Sequence, residues 1–196
     1  MFTIPNLLTL LRLFLVPVFI VASFNGRWTA AFIIFMSAAL TDILDGMIAR
    51  RFNQRSRLGA LLDPAADKTM MVSGFLFYTL STSMPLVRIP GWLTFVVFIR
   101  DFVIALFAYL LYTRVHVRRF PPSPAGKTST VLQAATLACV IAVNAFLPQL
   151  QSFAQFLFRA SLLVTLYSSW DYVGRGRQLL MNGLEAGQSE ATRNAA

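Results

Sequence analysis

The chain has 196 residues, of which 57% are hydrophobic, 13% aromatic and 13% charged, with a formal net charge of +9. Soluble domains carry about 25% charged residues, so this composition excludes an ordinary soluble domain and points to a lipid bilayer as solvent. A nucleic-acid role for the high pI is excluded too, because the basic residues flank apolar segments instead of gathering on a soluble face.

Apolar stretches of roughly 20 residues read as spanning helices. Six occur, at about 4–24, 28–49, 61–80, 91–113, 129–147 and 152–172. The first resembles a signal peptide in length. Its only basic residue, Arg12, lies inside the apolar run, and no small-x-small site ends it, so a retained helix is expected. The second and third carry acidic residues at their facing ends, which lowers their hydropathy. The fourth contains Arg100 and Asp101, and Lys127 stands where the fifth begins. The single cysteine, Cys139, lies in the fifth, cannot form an intrachain disulfide and reads as a small apolar residue. The sixth carries Arg159, which would snorkel or pair with Asp171. The lone His116 sits in a basic loop, as a solvated residue. Beyond Trp170 the chain turns polar, giving one transmembrane domain over 1–174 and a polar tail over 175–196, disordered from 182 onward. No internal repeat and no second domain are evident.

The basic residues orient these spans. Arg50, Arg51, Arg55 and Arg57 follow the second, Arg114, Arg118, Arg119 and Lys127 follow the fourth, and Arg175 and Arg177 follow the sixth. The opposite loops hold only Arg27 and Arg88. By the positive-inside rule both termini and the acidic run are cytoplasmic, and an anionic leaflet adds attraction.

Four of the eight acidic residues, Asp42, Asp45, Asp63 and Asp67, fall in one run. A carboxylate near the centre of a span costs ~2.5–3.5 kcal/mol on insertion scales, so four unpaired would cost roughly 10 or more. Neighbouring Arg50 and Lys68 could neutralise two of the four. Divalent metal is the simplest further compensation, and hard oxygen ligands select Mg2+, Ca2+ or Mn2+. On a helix Asp42 and Asp45 stand about 60° apart, with the small Gly46 and Ala49 on the same face. Those small residues leave room for a ligand, or simply allow close helix packing. Gly59, Asp63 and Asp67 form one stripe at i, i+4, i+8. Pro64 either takes the first helical position with Asp63 as N-cap or kinks the helix. Two carboxylates on each of two helices suit a pair of metal ions about 3.5–4 Å apart. Ion pairs with Arg50, Arg51, Arg55 and Lys68 are the structural alternative, and a membrane cation carrier is the alternative of another class.

The pattern Asp42-x-x-Asp45-Gly46-x-x-Ala49-Arg50, eight residues, Gly59-x-x-x-Asp63-x-x-x-Asp67 matches all eight fixed positions of the CDP-alcohol phosphotransferase signature, and the chain is identified as resembling that family. The opening Ile4-Pro5-Asn6-Leu7-Leu8-Thr9-Leu10-Leu11-Arg12 and the stretch Gly126-Lys127-x-x-Thr130-x-x-x-Gln133 resemble its phosphatidylglycerophosphate synthase and eukaryotic-type cardiolipin synthase branches. The resemblance implies an all-α integral membrane enzyme. It would have six transmembrane helices, form a homodimer and hold a polar, metal-containing cleft open to the cytoplasm, in the inner membrane of a bacterial cell. The substrate would be CDP-diacylglycerol and CMP would be released. By similarity the four aspartates bind two Mg2+ ions, with Mn2+ as substitute, and Asp67 is also the base for the acceptor hydroxyl. Asn6, Thr9, Gly46, Arg50, Ser56 and Gly59 would contact CDP-diacylglycerol.

The residues support such chemistry independently. Attack on a diphosphate needs charge neutralisation, an Arg such as Arg50 suits the leaving CMP phosphate, and an alcohol nucleophile needs a base. No Ser–His or Cys–His pair competes, so direct displacement is expected. Arg100, Lys127, Arg118 and Arg119 suit an acceptor carrying its own phosphate, although Arg100 has Asp101 as an alternative partner. Glycerol 3-phosphate and phosphatidylglycerol both fit. Ala108 stands where enterobacterial-type phosphatidylglycerophosphate synthases have a second Arg, which keeps cardiolipin synthesis close behind glycerol 3-phosphate as the preferred acceptor.

Overall fold

The computed structural model describes residues 4–51, 57–82, 84–115 and 123–194, with side chains described for 9–42, 68–82, 84–109, 113 and 123–177. Among them there are six α-helices and no strand. They are α1 (Ile4–Phe24), α2 (Trp28–Arg51), α3 (Arg57–Leu80), α4 (Gly91–Val115), α5 (Pro124–Ala145) and α6 (Gln151–Asn194), with a 3-10 turn at Pro148–Leu150 before α6. Each of the six apolar stretches lies on a separate helix. The described helices that are long and apolar enough to cross a membrane are two, over Gly91–Tyr109 and Pro124–Ala145; Thr9–Phe24 and Trp28–Asp42 are shorter apolar segments.

Three boundaries differ from the expectation. α3 starts at Arg57, so Asp63 and Pro64 lie well inside it, and Asp63 is not an N-cap. α5 starts at Pro124 because Ser123 caps it. The Ser123 hydroxyl accepts the Gly126 N–H at 2.9 Å, and Pro124 takes the first helical position, where no N–H is needed. α6 runs on to Asn194, so the segment expected as a tail is helical along its backbone. Low hydropathy marked it as a tail, but Gln, Leu, Met, Glu and Ala are good helix formers whether or not they are buried.

The residues group into two compact units, one formed by 1–91 and 134–157, the other by 92–133 and 158–196. In the first, α1 packs on both α2 and α3. A Schellman motif ends α1. The Arg27 N–H reaches the Ala22 carbonyl at 2.9 Å and the Gly26 N–H reaches Ser23 at 3.1 Å, with Gly26 at φ 68°, where a side chain would be strained. The tight turn folds α2 back along α1. Phe19 meets Phe35 and Tyr78 with ring centroids 6.0 and 6.1 Å away, and the Tyr78 hydroxyl shares a buried 3.2 Å hydrogen bond with Ser23. Gly74 of α3 lies so close to α5 that a Cβ there would stand 2.5 Å from a Leu137 methyl.

Asn144 of α5 ties down the segment after α3. Its Oδ1 accepts the Leu86 and Val87 N–H groups at 3.1 and 3.3 Å, and its Nδ2 donates to the Val87 and Val140 carbonyls at 2.8 Å each. The residue is 7% exposed, so its loss strands polar groups away from water. Asn144→Ala is expected to destabilise the protein by about 2–4 kcal/mol, read as a lower unfolding midpoint in detergent, with Asn144→Asp intermediate because it keeps only the acceptor.

Candidate active site

α2 is helical through Asp42, Asp45, Gly46, Ala49 and Arg50, and α3 through Gly59, Asp63 and Asp67. The carboxylates therefore stand at i, i+3 on one helix and i, i+4 on the other, each pair about one turn apart. The side chains of Asp45, Gly46, Arg50, Gly59, Asp63 and Asp67 lie outside those described, as does that of Asn6 on α1. Ser56, Arg118 and Arg119 lie outside the described residues altogether.

Asp42 forms an ion pair with Arg12 of α1, made by its Oδ1 and an Nη of the guanidinium. The arginine side chain is 2% exposed and the aspartate 47%. The pairing follows from the α1–α2 hairpin. Phe19 and Phe35 each lie seven residues nearer the turn than Arg12 and Asp42, so both contacts share one antiparallel register, two turns apart. Thr9, the other first-helix residue expected near substrate, is buried at 1% exposure one turn before Arg12. The Thr41 hydroxyl turns back onto its own helix, to the Ser37 and Ala38 carbonyls at 3.0 and 2.8 Å. In the sequence Arg12 counts against a signal peptide and closes the opening stretch of the family resemblance, with no partner assigned to it. The signal that could have found its role was the same one used for the acids: an ionised group inside an apolar span requires a partner.

The second unit holds its own buried cation. Arg100 of α4 is 6% exposed. It donates to Asp101 Oδ1 at 2.9 Å, to the Gly126 carbonyl at 3.3 Å and to Ser168 Oγ at 3.1 Å, and lies over the Tyr172 ring, 5.6 Å from its centroid. The Tyr172 hydroxyl in turn accepts the Ser123 N–H at 3.2 Å. Arg100 thus joins α4 to the capped start of α5 and to α6, and the alternative of pairing with Asp101 is what the geometry contains. Lys127, next along from Gly126, has an exposed side chain. Arg159 is exposed, and Asp171 pairs with Arg175 at 2.9 Å. On a single helix Arg159 and Asp171 are too far apart to meet, whereas Arg175 lies one turn from Asp171. Gln133, quoted for its motif but given no role, donates to Ser129 Oγ at 3.1 Å and Thr165 Oγ1 at 3.2 Å, a buried link between α5 and α6.

A sequence model described as CDP-alcohol phosphatidyltransferase matches residues 2–167, through both units and all four aspartates. The chain belongs to the CDP-alcohol phosphatidyltransferase family. This phosphatidyltransferase is 32% identical over 181 residues to a probable phosphatidylglycerophosphate synthase of Mycobacterium tuberculosis, covering 88% of this chain and 80% of the relative. It is 30% identical over 180 residues to the CDP-diacylglycerol–glycerol-3-phosphate 3-phosphatidyltransferase of Aquifex aeolicus, covering 90% and 97%. It is 31% identical over 194 residues to the CMP-forming cardiolipin synthase of Homo sapiens, covering 90% of this chain and 62% of the relative. Family membership makes the protein an enzyme of phosphatidyl transfer and sets the cation-carrier alternative aside.

Gly126 tests the Arg100 network. A Cβ there would lie 2.8 Å from Tyr172 Cε2 and 3.1 Å from an Arg100 Nη. Gly126→Ala is expected to cost about 1–3 kcal/mol through displaced Tyr172 and Arg100, seen as a lower unfolding midpoint, despite the better helix propensity of alanine.

Proposed function

We propose that the enzyme transfers the phosphatidyl group of CDP-diacylglycerol to glycerol 3-phosphate and releases CMP. One observation carries the acceptor: the Aquifex relative, whose name specifies glycerol 3-phosphate, aligns over 97% of its own length. The human relative keeps phosphatidylglycerol as a second reading, which Ala108 also favours.

The proposed architecture has six spans, with the cytoplasmic ends of α2 and α3 facing a polar cleft. Both termini would be cytoplasmic and the chain a homodimer in the inner membrane of a bacterial cell. The basic residues that follow the second, fourth and sixth apolar stretches support the orientation.

The donor set of the four aspartates is all carboxylate oxygen, at one-turn spacing on two helices that both pack on α1, and it fits Mg2+ or Mn2+. Asp42, Asp45, Asp63 and Asp67 would hold two ions, which when bound neutralise the diphosphate. Gly46 and Ala49 leave the α2 backbone open to the CDP moiety. Arg50 stabilises the charge gained by the departing CMP phosphate, and Asn6, Ser56 and Gly59 complete the contacts, whereas Thr9, at 1% exposure, is too buried to share in them. Asp67 accepts the proton of the acceptor hydroxyl as its oxygen bonds to the phosphatidyl phosphorus and the bond from that phosphorus to the CMP oxygen breaks. For the acceptor's own phosphate, Lys127 is the exposed candidate, with Arg118 and Arg119 from the adjoining loop. Arg100 acts mainly by holding the α5 start that carries Lys127.

The deciding assay measures CMP release from CDP-diacylglycerol and Mg2+ by purified protein, with glycerol 3-phosphate and phosphatidylglycerol offered separately. Release with glycerol 3-phosphate is expected; product only with phosphatidylglycerol would assign cardiolipin synthesis. Lys127→Ala is expected to raise the acceptor KM by about 10–100-fold, the loss of a charge-assisted contact, with little change for CDP-diacylglycerol.

Asp67→Asn is expected to lower the rate at least ~10²-fold while CDP-diacylglycerol binding falls much less, as for loss of a positioned base. Binding lost as severely as rate would make Asp67 a ligand only.

A further inference from the structure

We infer that Arg12 is a positioning residue for the acidic site, holding Asp42 from inside the bundle so that its second oxygen stays available to a divalent cation. The inference rests on the metal reading proposed above.

The geometry is asymmetric. Arg12 is 2% exposed, whereas Asp42 is 47% exposed. The guanidinium cannot follow the carboxylate outward, so it acts as an anchor fixed by α1, and the carboxylate is the group that faces both ways. Oδ1 is taken by the ion pair. Oδ2 lies outside that contact, on a side chain that is half-exposed. A single guanidinium contact at Oδ1 holds that oxygen beside α1 while leaving the other outside the ion pair. The hairpin that sets this contact is itself pinned by the Gly26 turn and the Phe19–Phe35 contact, so the anchor needs no ligand to form.

A purely structural ion pair would look different in its energetics. Replacing a whole buried ion pair by well-packed apolar residues is often neutral for stability, and when Arg12 alone is replaced the charge left behind, Asp42, is half-exposed and can be solvated. A buried arginine in an apolar stretch is therefore a poor choice for stability alone. It suits a role in setting the direction of Asp42. Partners that orient a metal ligand typically contribute 10–100-fold to metal affinity.

The test is Mn2+ titration of the purified full-length protein in detergent, with free Mn2+ read by electron paramagnetic resonance and thermal unfolding measured in parallel. Arg12→Met is expected to weaken Mn2+ binding about 10-fold or more, with an unfolding midpoint close to that of the wild type. Arg12→Lys keeps a buried cation on a shorter side chain, and is expected to fall between the two in affinity. It also carries the test if Arg12→Met does not fold. Affinity unchanged or tightened in the folded variants, with wild-type binding intact, overturns the inference alone and returns the pair to packing or to competition with the metal. A wild type that takes up no Mn2+ overturns the metal reading and this inference with it.

Discussion

An ionised or amide side chain inside an apolar helical bundle has no water to turn to, and this single constraint organises most of what is specific in the fold. Arg12 finds Asp42, Arg100 finds Asp101, Gly126 and Ser168, Asn144 finds four backbone groups, and Gln133 finds Ser129 and Thr165. Apolar contacts between helices are tolerant of small slides. These polar contacts are not, because a shift of one residue would leave a donor or acceptor buried without a partner. A handful of polar side chains thus reinforces the helix register that the turns and apolar contacts set in each unit.

The same constraint explains why the two buried arginines serve differently. Arg100 spends its Nη donors on a neighbouring carboxylate, a carbonyl and a hydroxyl of its own unit. With those contacts made, it is a brace for the start of α5. Arg12 pairs with a carboxylate that is half open to the outside. Its contact is directed at Asp42, the first aspartate of the acidic run. Close approach at glycine supports the second unit: Gly126 admits Arg100 and Tyr172, and Gly176 admits Phe107 between α4 and α6.

Much of this was legible from residue order. Stretches of about 20 apolar residues located six helices, and the spacing of four aspartates with Gly46, Ala49, Arg50 and Gly59 identified the family. The errors have physical causes. Hydropathy reports burial, not helicity, so it ended α6 too early, where good helix formers continue the backbone helix to Asn194. It also started α5 too late, although Ser123 followed by Pro124 is a local cap signal readable without hydropathy. Asp63 before Pro64 looked like a similar signal, yet α3 had already begun at Arg57, and helix context overrode it.

The sequence by itself determined which segments are helices and what chemistry they can carry, because apolar length, cap residues and the ordering of carboxylates along one helix are local properties. Tertiary structure decided the partners. That Arg12 meets Asp42 depends on a hairpin whose turn is set at Gly26 and whose register is held by Phe19 and Phe35. That Arg100 is braced by Gly126 and Ser168, residues far along the chain, depends on how α4, α5 and α6 pack. Such pairings join residues distant in sequence, and no local pattern encodes the distance between them until the helices have been brought together.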